Sequence, residues 1–354
     1  MGEIGAGIQL GPNAFCAFDA LGIGERARAR AVYTERILMK DAVDESEIVN
    51  MPLGDAFRRR FGNPYAVSHR ADIHLSLLEG VKESGRVELA TSTHVERIEQ
   101  RNGHVIAIDS QGRSHRGAAL IGCDGVKSVV REQFVGDPVR VTGHVVYRAV
   151  VDENNFPGEM KVNAPCLWAG PDCHVVHYPL RDGHQYNLVV TFHSHKHEEW
   201  GVTDGSREEV LEHFEGIGRK PRQLLDLPKS WRRWATADRE PIARWSHGRV
   251  TLLGDAAHPM MQYLAQGACM AMEDAVCLAD SVAKTDSLEA GLEIYRSRRV
   301  LRTTRVQLMS RAMGDHVYHP AGPHAALRNA IMSAKSQDDW FETLDWLYGG
   351  SGLD

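Results

Sequence analysis

The sequence has no apolar run approaching the roughly 18 residues of a membrane-spanning helix. Its start, Met1 to Leu10, has neither the basic region nor the long apolar stretch of a secretory signal. Basic charge is also short, with 41 Lys and Arg against 47 Asp and Glu and a net charge of −6. A sequence-independent nucleic-acid binder needs a basic face, which this balance argues against. The six cysteines (Cys16, Cys123, Cys166, Cys173, Cys269 and Cys277) include no CxxC pair. Buried free thiols in a reducing cytoplasm are expected, and no metal site is. There is no internal repeat and no low-complexity tract. What remains is 43% hydrophobic and 25% charged over 354 residues, an ordinary globular profile. That length suits two domains, or one large domain with an insertion.

Pro12 opens a helical stretch that runs to about Leu21 and stops at Gly22. Ser68 to Ser84 reads as a second helix, with a stripe of Ile73, Leu75, Leu77, Leu78 and Val81. Val87 to Leu89 reads as a short strand. Val95 to Gln100 and Val105 to Ile108 alternate around Asn102-Gly103, a hairpin signal. Ala118 to Gly122 is continuously apolar, as in a strand buried on both faces, and a helical segment follows from Val126. From about Val141 the character changes. His144 to Val151, Cys173 to Tyr178 and Tyr186 to Phe192 read as an antiparallel sheet, the last two joined across Arg181 to His184. Helical text runs from Arg207 to about Leu227. Val250 to Leu253 is again a short buried strand, followed by helices over Gly267 to Ala283 and Leu288 to Met313. The fold class is α/β, with an inserted antiparallel domain.

Two strand-to-helix junctions carry the chemistry. In the first, Ile121-Gly122-Cys123-Asp124-Gly125 leads into Val126 to Arg131 and sets a carboxylate and free amides at a sheet edge. In the second, Leu253-Gly254-Asp255-Ala256-Ala257-His258-Pro259 is followed by Gln266-Gly267-Ala268 at a helix start. Asp255 suits sugar hydroxyls, and the amides of Gly267 and Ala268 suit electron-rich or anionic atoms. Either junction alone reads as well as a structural turn. Together, in this order and spacing, they are more specific.

With these residues the chain resembles the flavin-dependent aromatic hydroxylases, single-component monooxygenases of the salicylate and hydroxybenzoate hydroxylase type. Asp124-Gly125 through Arg131 is similar to that family's second fingerprint, and Gly254-Asp255 through Pro259 to its third. Gly5 through Ala14, including Gln9, is similar to the segment after the first FAD unit. His69-Arg70-Ala71-Asp72 resembles a helix start whose Arg70 meets the flavin phosphates, and Ile73 stands where Leu is common. The resemblance implies FAD as cofactor, with Gln9, Arg70, Asp124, Asp255, Gln266, Gly267 and Ala268 as its contacts. It further implies a discontinuous Rossmann-like FAD-binding domain (1–140 and 248–315), a substrate-binding sheet domain (141–247) and a C-terminal helical segment (316–354). The family opens with a strand, a GxGxxG turn and a second strand. Here no strand precedes Gly5-x-Gly7, and Gly11 comes one position late. A start of about 30–40 residues is therefore expected to be missing. A truncated reading frame is the preferred explanation, and a natural chain without the unit is the other. The chain as written is then expected to hold FAD poorly, and a truncated chain unable to hold FAD and inactive is an alternative to the active enzyme.

Cys173 to Pro179 and Met260 to Gln266 are most similar to the 3-hydroxybenzoate 6-hydroxylases. The resemblance implies gentisate as product, NADH as donor with NADPH as the alternative, O2 as co-substrate, and a C4a-hydroperoxyflavin as the oxygen carrier. Strand alternation puts His174, Val176 and Tyr178 on one face and His177 on the other. His174, with an unperturbed pKa near 6.5, reads as the base that withdraws the phenol proton, and equally as a satisfied core histidine. Gln262 is expected to orient the phenol and Tyr178 to bind the substrate carboxylate. Salicylate 1-hydroxylation is the alternative activity. His193-Ser194-His195-Lys196-His197 reads as an exposed strand end rather than a metal tract, and Trp231 to Trp234 as a half-buried strand. Trp340, Phe341, Leu344 and Trp346 share one helix face, for packing or a homodimer contact.

Overall fold

Residues 7–101, 103–350 and 353 are described by the structure, a computed structural model. Gly5 and Ala6 of the opening segment and Asn102 of the expected hairpin turn lie outside the described residues. The chain divides into two compact units.

The first unit comprises residues 1–78, 141–236 and 311–352. Its centre is an eight-stranded sheet with the strand order Gly201–Gly205, Trp231–Asp238, Arg140–Asp152, Gln185–His193, Cys173–Leu180, Cys166–Gly170, Arg36–Asp41, Glu47–Pro52. Alternation decides which side chains form the core. Val145, Tyr147 and Val151 of one strand and Cys173 and Val175 of another pack with Trp168, Leu188 and Phe192. On the opposite face, Val176, Tyr178 and Leu180 meet Val67. The connection between the strands at Leu180 and Gln185 is a short helical turn, with Arg181, Asp182 and Gly183 at φ of 50°, 57° and 88°. A small sheet joins Gly7–Leu10, Ala66–His69 and Ala31–Tyr33. The helix Pro12–Ala20 has its proline in the first turn, where a missing N–H costs nothing. The C-terminal helix Gln337–Tyr348 starts with a reciprocal Ser336–Asp339 capping box. Its Phe341 packs edge-on against Phe57 and Phe61 of the same unit.

The second unit comprises residues 79–140, 237–310 and 353–354. It holds the hairpin Val95–Arg101 with His104–Asp109, extended by Ser114–Gly117. A second small sheet has the order Ser246–His247, Val250–Leu252, Leu120–Gly122. The helices Gly267–Ala283 and Leu288–Met313 start and end where their sequence signals place them. No helix among the described residues is long and apolar enough to cross a membrane.

The structure differs from the sequence expectations at several points. Val87 to Leu89 is not a strand. Among the described residues no strand pairs with its backbone, and Val87 and Leu89 are exposed. The strand at Leu120–Gly122 is an edge strand rather than one buried on both faces, and Ile121 is 39% exposed. Ser68 and His69 belong to a strand, so the following helix begins at Arg70. The helix expected from Val126 begins at Val129, capped by Ser128. The stretch 207–227 breaks into Arg207–His213 and Arg219–Leu225, because Gly216 takes a left-handed φ of 80°. Among the cysteines, all free, Cys123 is exposed and Cys16 half-buried. By packing, residues 1–78 and 311–352 join the sheet of 141–236. This grouping describes packing and leaves open which segments serve a cofactor and which a substrate. The physical reason lies in the sheet: Arg36–Asp41 pairs in parallel with Cys166–Gly170, Leu38 opposite Cys166.

Candidate active site

In the second unit the two junctions lie side by side. Leu120–Gly122 and Val250–Leu252 pair in parallel with Gly122 opposite Leu252, so both chains leave the sheet at the same end. Gly122 is required there, because a Cβ would lie 2.8 Å from that of Val130. The buried Arg131 ties the junctions together. Its guanidinium forks onto Asp137 at 2.8 and 2.6 Å and donates to the carbonyls of Ala256 and Ala257 at 3.1 and 2.8 Å. Gly254 turns the chain at φ 62°, and its N–H donates to Asp274 Oδ2 at 3.1 Å. Asp274 also accepts from His258 Nε2 at 2.5 Å and from Arg299 Nε at 2.7 Å. Arg299 reaches Glu273 at 2.6 Å, and Arg302 shares that carboxylate. Burial raises the Asp274 pKa, but the fields of His258 and Arg299 outweigh it and hold the group at about 2. Tyr295 donates to the Leu252 carbonyl at 3.0 Å and Gln307 to that of Pro259 at 3.0 Å. This buried polar frame holds the loop Gly254 to Pro259 from behind.

The frame presents Asp255. Its carboxylate is exposed, and its Oδ1 lies 3.8 Å from where a Cβ on Gly267 would stand. The helix Gly267–Ala283 has no side-chain cap, so the Gly267 and Ala268 amides point out of a 17-residue helix. Just before it, Ala265 sits in the left-handed region at φ 53°, a strained conformation of the kind concentrated at ligand sites. Gln266 is buried and Gln262 half-buried, and Gln262 Nε2 is a buried donor with no acceptor among the described residues. An exposed carboxylate for sugar hydroxyls, an uncapped helix start and an orphaned amide fit the FAD implied by the sequence. Asp124 behaves differently. It accepts from Ser128 Oγ at 2.6 Å and from the Val130 N–H at 3.2 Å, so both its oxygens serve the turn that starts the next helix.

In the first unit, His174 and Tyr178 share one face of Cys173–Leu180. Tyr178 is buried, and burial pushes its hydroxyl up to about 12 despite the fields of Arg148 and Arg70. Gly7 approaches it so closely that a Cβ would come within 2.3 Å of Tyr178 Oη, while the Gly7 N–H donates to Asn187 Oδ1 at 3.0 Å. Gln9 accepts from the Tyr65 hydroxyl at 2.5 Å. Arg70 is exposed at the first residue of its helix and has no acceptor among the described residues. A cation there opposes the helix dipole, which suits an arginine that serves a ligand.

His174 is only 2% exposed, and its Nδ1 lies 2.6 Å from His319 Nε2. His319 Nδ1 lies in turn 2.8 Å from Nε2 of His193, which is half-buried. Burial pushes His174 down to about 3, helped by His144 and His193. This corrects the expectation of an unperturbed value near 6.5. The backbone holds the chain of rings in place: the Asp172 N–H donates to the His319 carbonyl at 3.1 Å, and the His193 N–H donates to the Asp172 carbonyl at 3.0 Å. The Tyr318 ring stands edge-on to His174, with centroids 4.9 Å apart. One ring nitrogen from each of His144, His193 and His319 lies within 4.8 Å of the others. His193 is thus part of an interior cluster, unlike the exposed strand end expected of its tract. His177 faces the other way, beside Phe156.

Sequence reasoning missed His319, Asp274 and Arg299. Glu273-Asp274 and Arg299 lie on the two helices that follow the second junction, Gly267–Ala283 and Leu288–Met313. His319 follows one turn of π-helix, Gly314–Tyr318, and no local pattern announces it.

The FAD binding domain family matches residues 9–310, and the chain belongs to that family. It is an oxidoreductase of the flavoprotein monooxygenase type, with FAD as its cofactor. The chain is 60% identical over 350 residues to 3-hydroxybenzoate 6-hydroxylase of Polaromonas naphthalenivorans (strain CJ2), covering 99% of this chain and 87% of that protein. It is 56% identical over 350 residues to the protein of the same name from Klebsiella oxytoca, covering 99% and 88%. Among solved structures, Klebsiella pneumoniae HpxO complexed with FAD and uric acid superposes with a TM-score of 0.85 at 24% identity, covering 99% of this chain and 89% of that one. A salicylate hydroxylase substrate complex gives 0.83 at 24%, covering 98% and 88%. These two likenesses establish the shared fold.

Proposed function

We propose that the protein hydroxylates 3-hydroxybenzoate to gentisate, with NADH as electron donor and O2 as co-substrate. The observation that carries the substrate is the 60% identity, along 99% of the chain, to a relative named for this reaction. Bound FAD supplies the redox and oxygen-transfer chemistry. We assign its contacts to Gln9, Arg70, Asp255, Gln266, Gly267 and Ala268, with Asp124 shaping the first junction. Residues 1–140 and 248–315 then serve the cofactor, residues 141–247 the substrate, and 316–354 the support of His174. The free thiols suit a reducing cytoplasm.

The chain's own part is to bind the aromatic acid and to move one proton. His174 is neutral, which a base must be before it acts. It takes the phenol proton at Nε2, and the carbon para to the resulting oxyanion, position 6, becomes the electron-rich one. A group held near pKa 3 is a poor resting place for that proton. The Nδ1 proton therefore passes to His319 Nε2, and the His319 Nδ1 proton passes to His193 Nε2, each along an existing contact. Burial lowers the pKa of the half-buried His193 as well, and Asp172 and Asp315 offset part of that loss. Gln262 orients the phenol through its Nε2, and Tyr178 donates to the substrate carboxylate. His174→Ala is expected to abolish gentisate formation, measured by chromatography, while the flavin absorbance stays with the protein. Unchanged turnover with 3-hydroxybenzoate would sink the base assignment.

A further inference from the structure

The first unit contains a second concave site, about 360 Å³ in volume, that the hydroxylation chemistry does not use. Its wall comes from two neighbouring strands of the large sheet. Tyr147, Val151 and Trp231 point into the core, so Arg148, Val150 and Asp152 of one strand and Arg232 and Trp234 of the other point the opposite way and line the cavity. His69, Asn155 and Lys229 complete it.

The electrostatics of this cavity are unbalanced. Arg148 is part-buried, and among the described residues no carboxylate or carbonyl accepts from its guanidinium. It lies over the Trp234 ring, with the guanidinium carbon 5.6 Å from the ring centroid. Burial and the nearby Arg70, itself without an acceptor, pull Arg148 below its ordinary range. Lys229 adds a second cation without an acceptor at the rim, whereas Arg232 is engaged by Asp204 at 2.6 Å. A guanidinium partly removed from water without a counter-charge is costly, and an anion bound against Arg148 would relieve that cost. A planar guanidinium grips phosphate oxygens in a fork, an indole ring offers a stacking face, and Asp152 and Asn155 offer acceptors for hydroxyls.

We propose that this cavity binds the phosphorylated adenosine end of a dinucleotide, with the nicotinamide donor as its occupant. Arg148 grips the pyrophosphate, Lys229 adds charge at the rim, Trp234 carries the flat base, and Asp152 or Asn155 takes a ribose hydroxyl. A volume of about 360 Å³ falls within the range of ligand pockets, on the order of 300–1,000 Å³. The inference rests on the reading that a reduced nicotinamide supplies the electrons. The sequence offers no complete dinucleotide fingerprint for that donor.

The test uses ADP-ribose, which carries the adenosine and pyrophosphate and cannot be oxidised by flavin, titrated calorimetrically into FAD-loaded protein. Wild type is expected to bind it, more weakly as salt rises. Arg148→Gln is expected to weaken binding at least tenfold and Lys229→Gln by a few-fold, with FAD content and 3-hydroxybenzoate binding (read from the flavin spectrum) unchanged. No binding by wild type, or equal binding by both variants, would overturn the proposal. Loss of FAD from Arg148→Gln would overturn it in favour of the flavin's own pyrophosphate, and selective loss of 3-hydroxybenzoate binding in favour of a carboxylate site. If Arg148→Gln does not fold, the exposed Lys229→Gln decides alone. Because no turnover is required, a wrong substrate assignment leaves this result readable.

Discussion

Asp274 accepts three donors in a buried setting, and an amide of the same shape cannot satisfy all of them. In Asp274→Asn the single carbonyl oxygen can face either Arg299 Nε or the pair of His258 Nε2 and the Gly254 N–H. The NH2 then confronts a donor on the other side, and Arg299 keeps one carboxylate, Glu273, which it shares with Arg302. Removing one partner of a buried ion pair costs about 3–5 kcal/mol. The ionised carboxylate is held near pKa 2 from an ordinary value of 3.8, which by linkage corresponds to about 2 kcal/mol. That lower figure omits the new donor–donor contact. At about 2 °C per kcal/mol, the loss shifts the apparent melting point down by roughly 6–10 °C at neutral pH. The sign with pH follows from the depressed pKa: the stabilisation is full above about pH 4 and drains away as pH falls toward 2. The gap between wild type and variant should therefore narrow in acid. Where the carbonyl turns to Arg299 the Gly254 tether is lost, and FAD should then dissociate more readily, which its fluorescence on release will report. A stability loss under 1 kcal/mol with full FAD retention would refute the claim that this network holds the Asp255 loop.

Two further perturbations probe the first unit. His319→Gln can still hydrogen-bond to His174 but cannot pass a proton from one ring nitrogen to the other, so proton release on substrate binding should slow at least tenfold. An indicator dye in weak buffer reads that rate, and the deficit should shrink as pH rises and hydroxide takes over; an unaltered rate would remove the relay. Gly7→Ala places a methyl 2.3 Å from Tyr178 Oη and 2.7 Å from Asn187 Cγ, an overpacking cost of about 1–3 kcal/mol in urea unfolding. A neutral result would mean that Tyr178 moves freely and does not hold the position assigned to it.

Much of the local structure was legible because local forces set it. The proline of Pro12–Ala20, the period of Gly267–Ala283 and Leu288–Met313 and the alternation of Cys173–Leu180 each mark an element from its own residues. The Asp255 loop, the uncapped start at Gly267 and the shared face of His174 and Tyr178 were legible for the same reason. The break at Gly216 went unread because the helical text on either side was continuous. Val87 to Leu89 was misread because β-prone residues form a strand only when another backbone accepts their hydrogen bonds.

The sequence by itself determined most elements and the family-like junctions, and it singled out His174, Tyr178, Gln262 and Asp255 as candidates, since spacing and residue type are properties of the chain. Only the tertiary structure decided what surrounds them. It set Arg36–Asp41 beside Cys166–Gly170, brought His319 to His174 across 145 positions, and left the half-buried Arg148 near Arg70 without an acceptor among the described residues. Those contacts join residues far apart in the chain, and they alone set burial, field and pKa. The same imidazole titrates near 6.5 in water and near 3 inside this sheet.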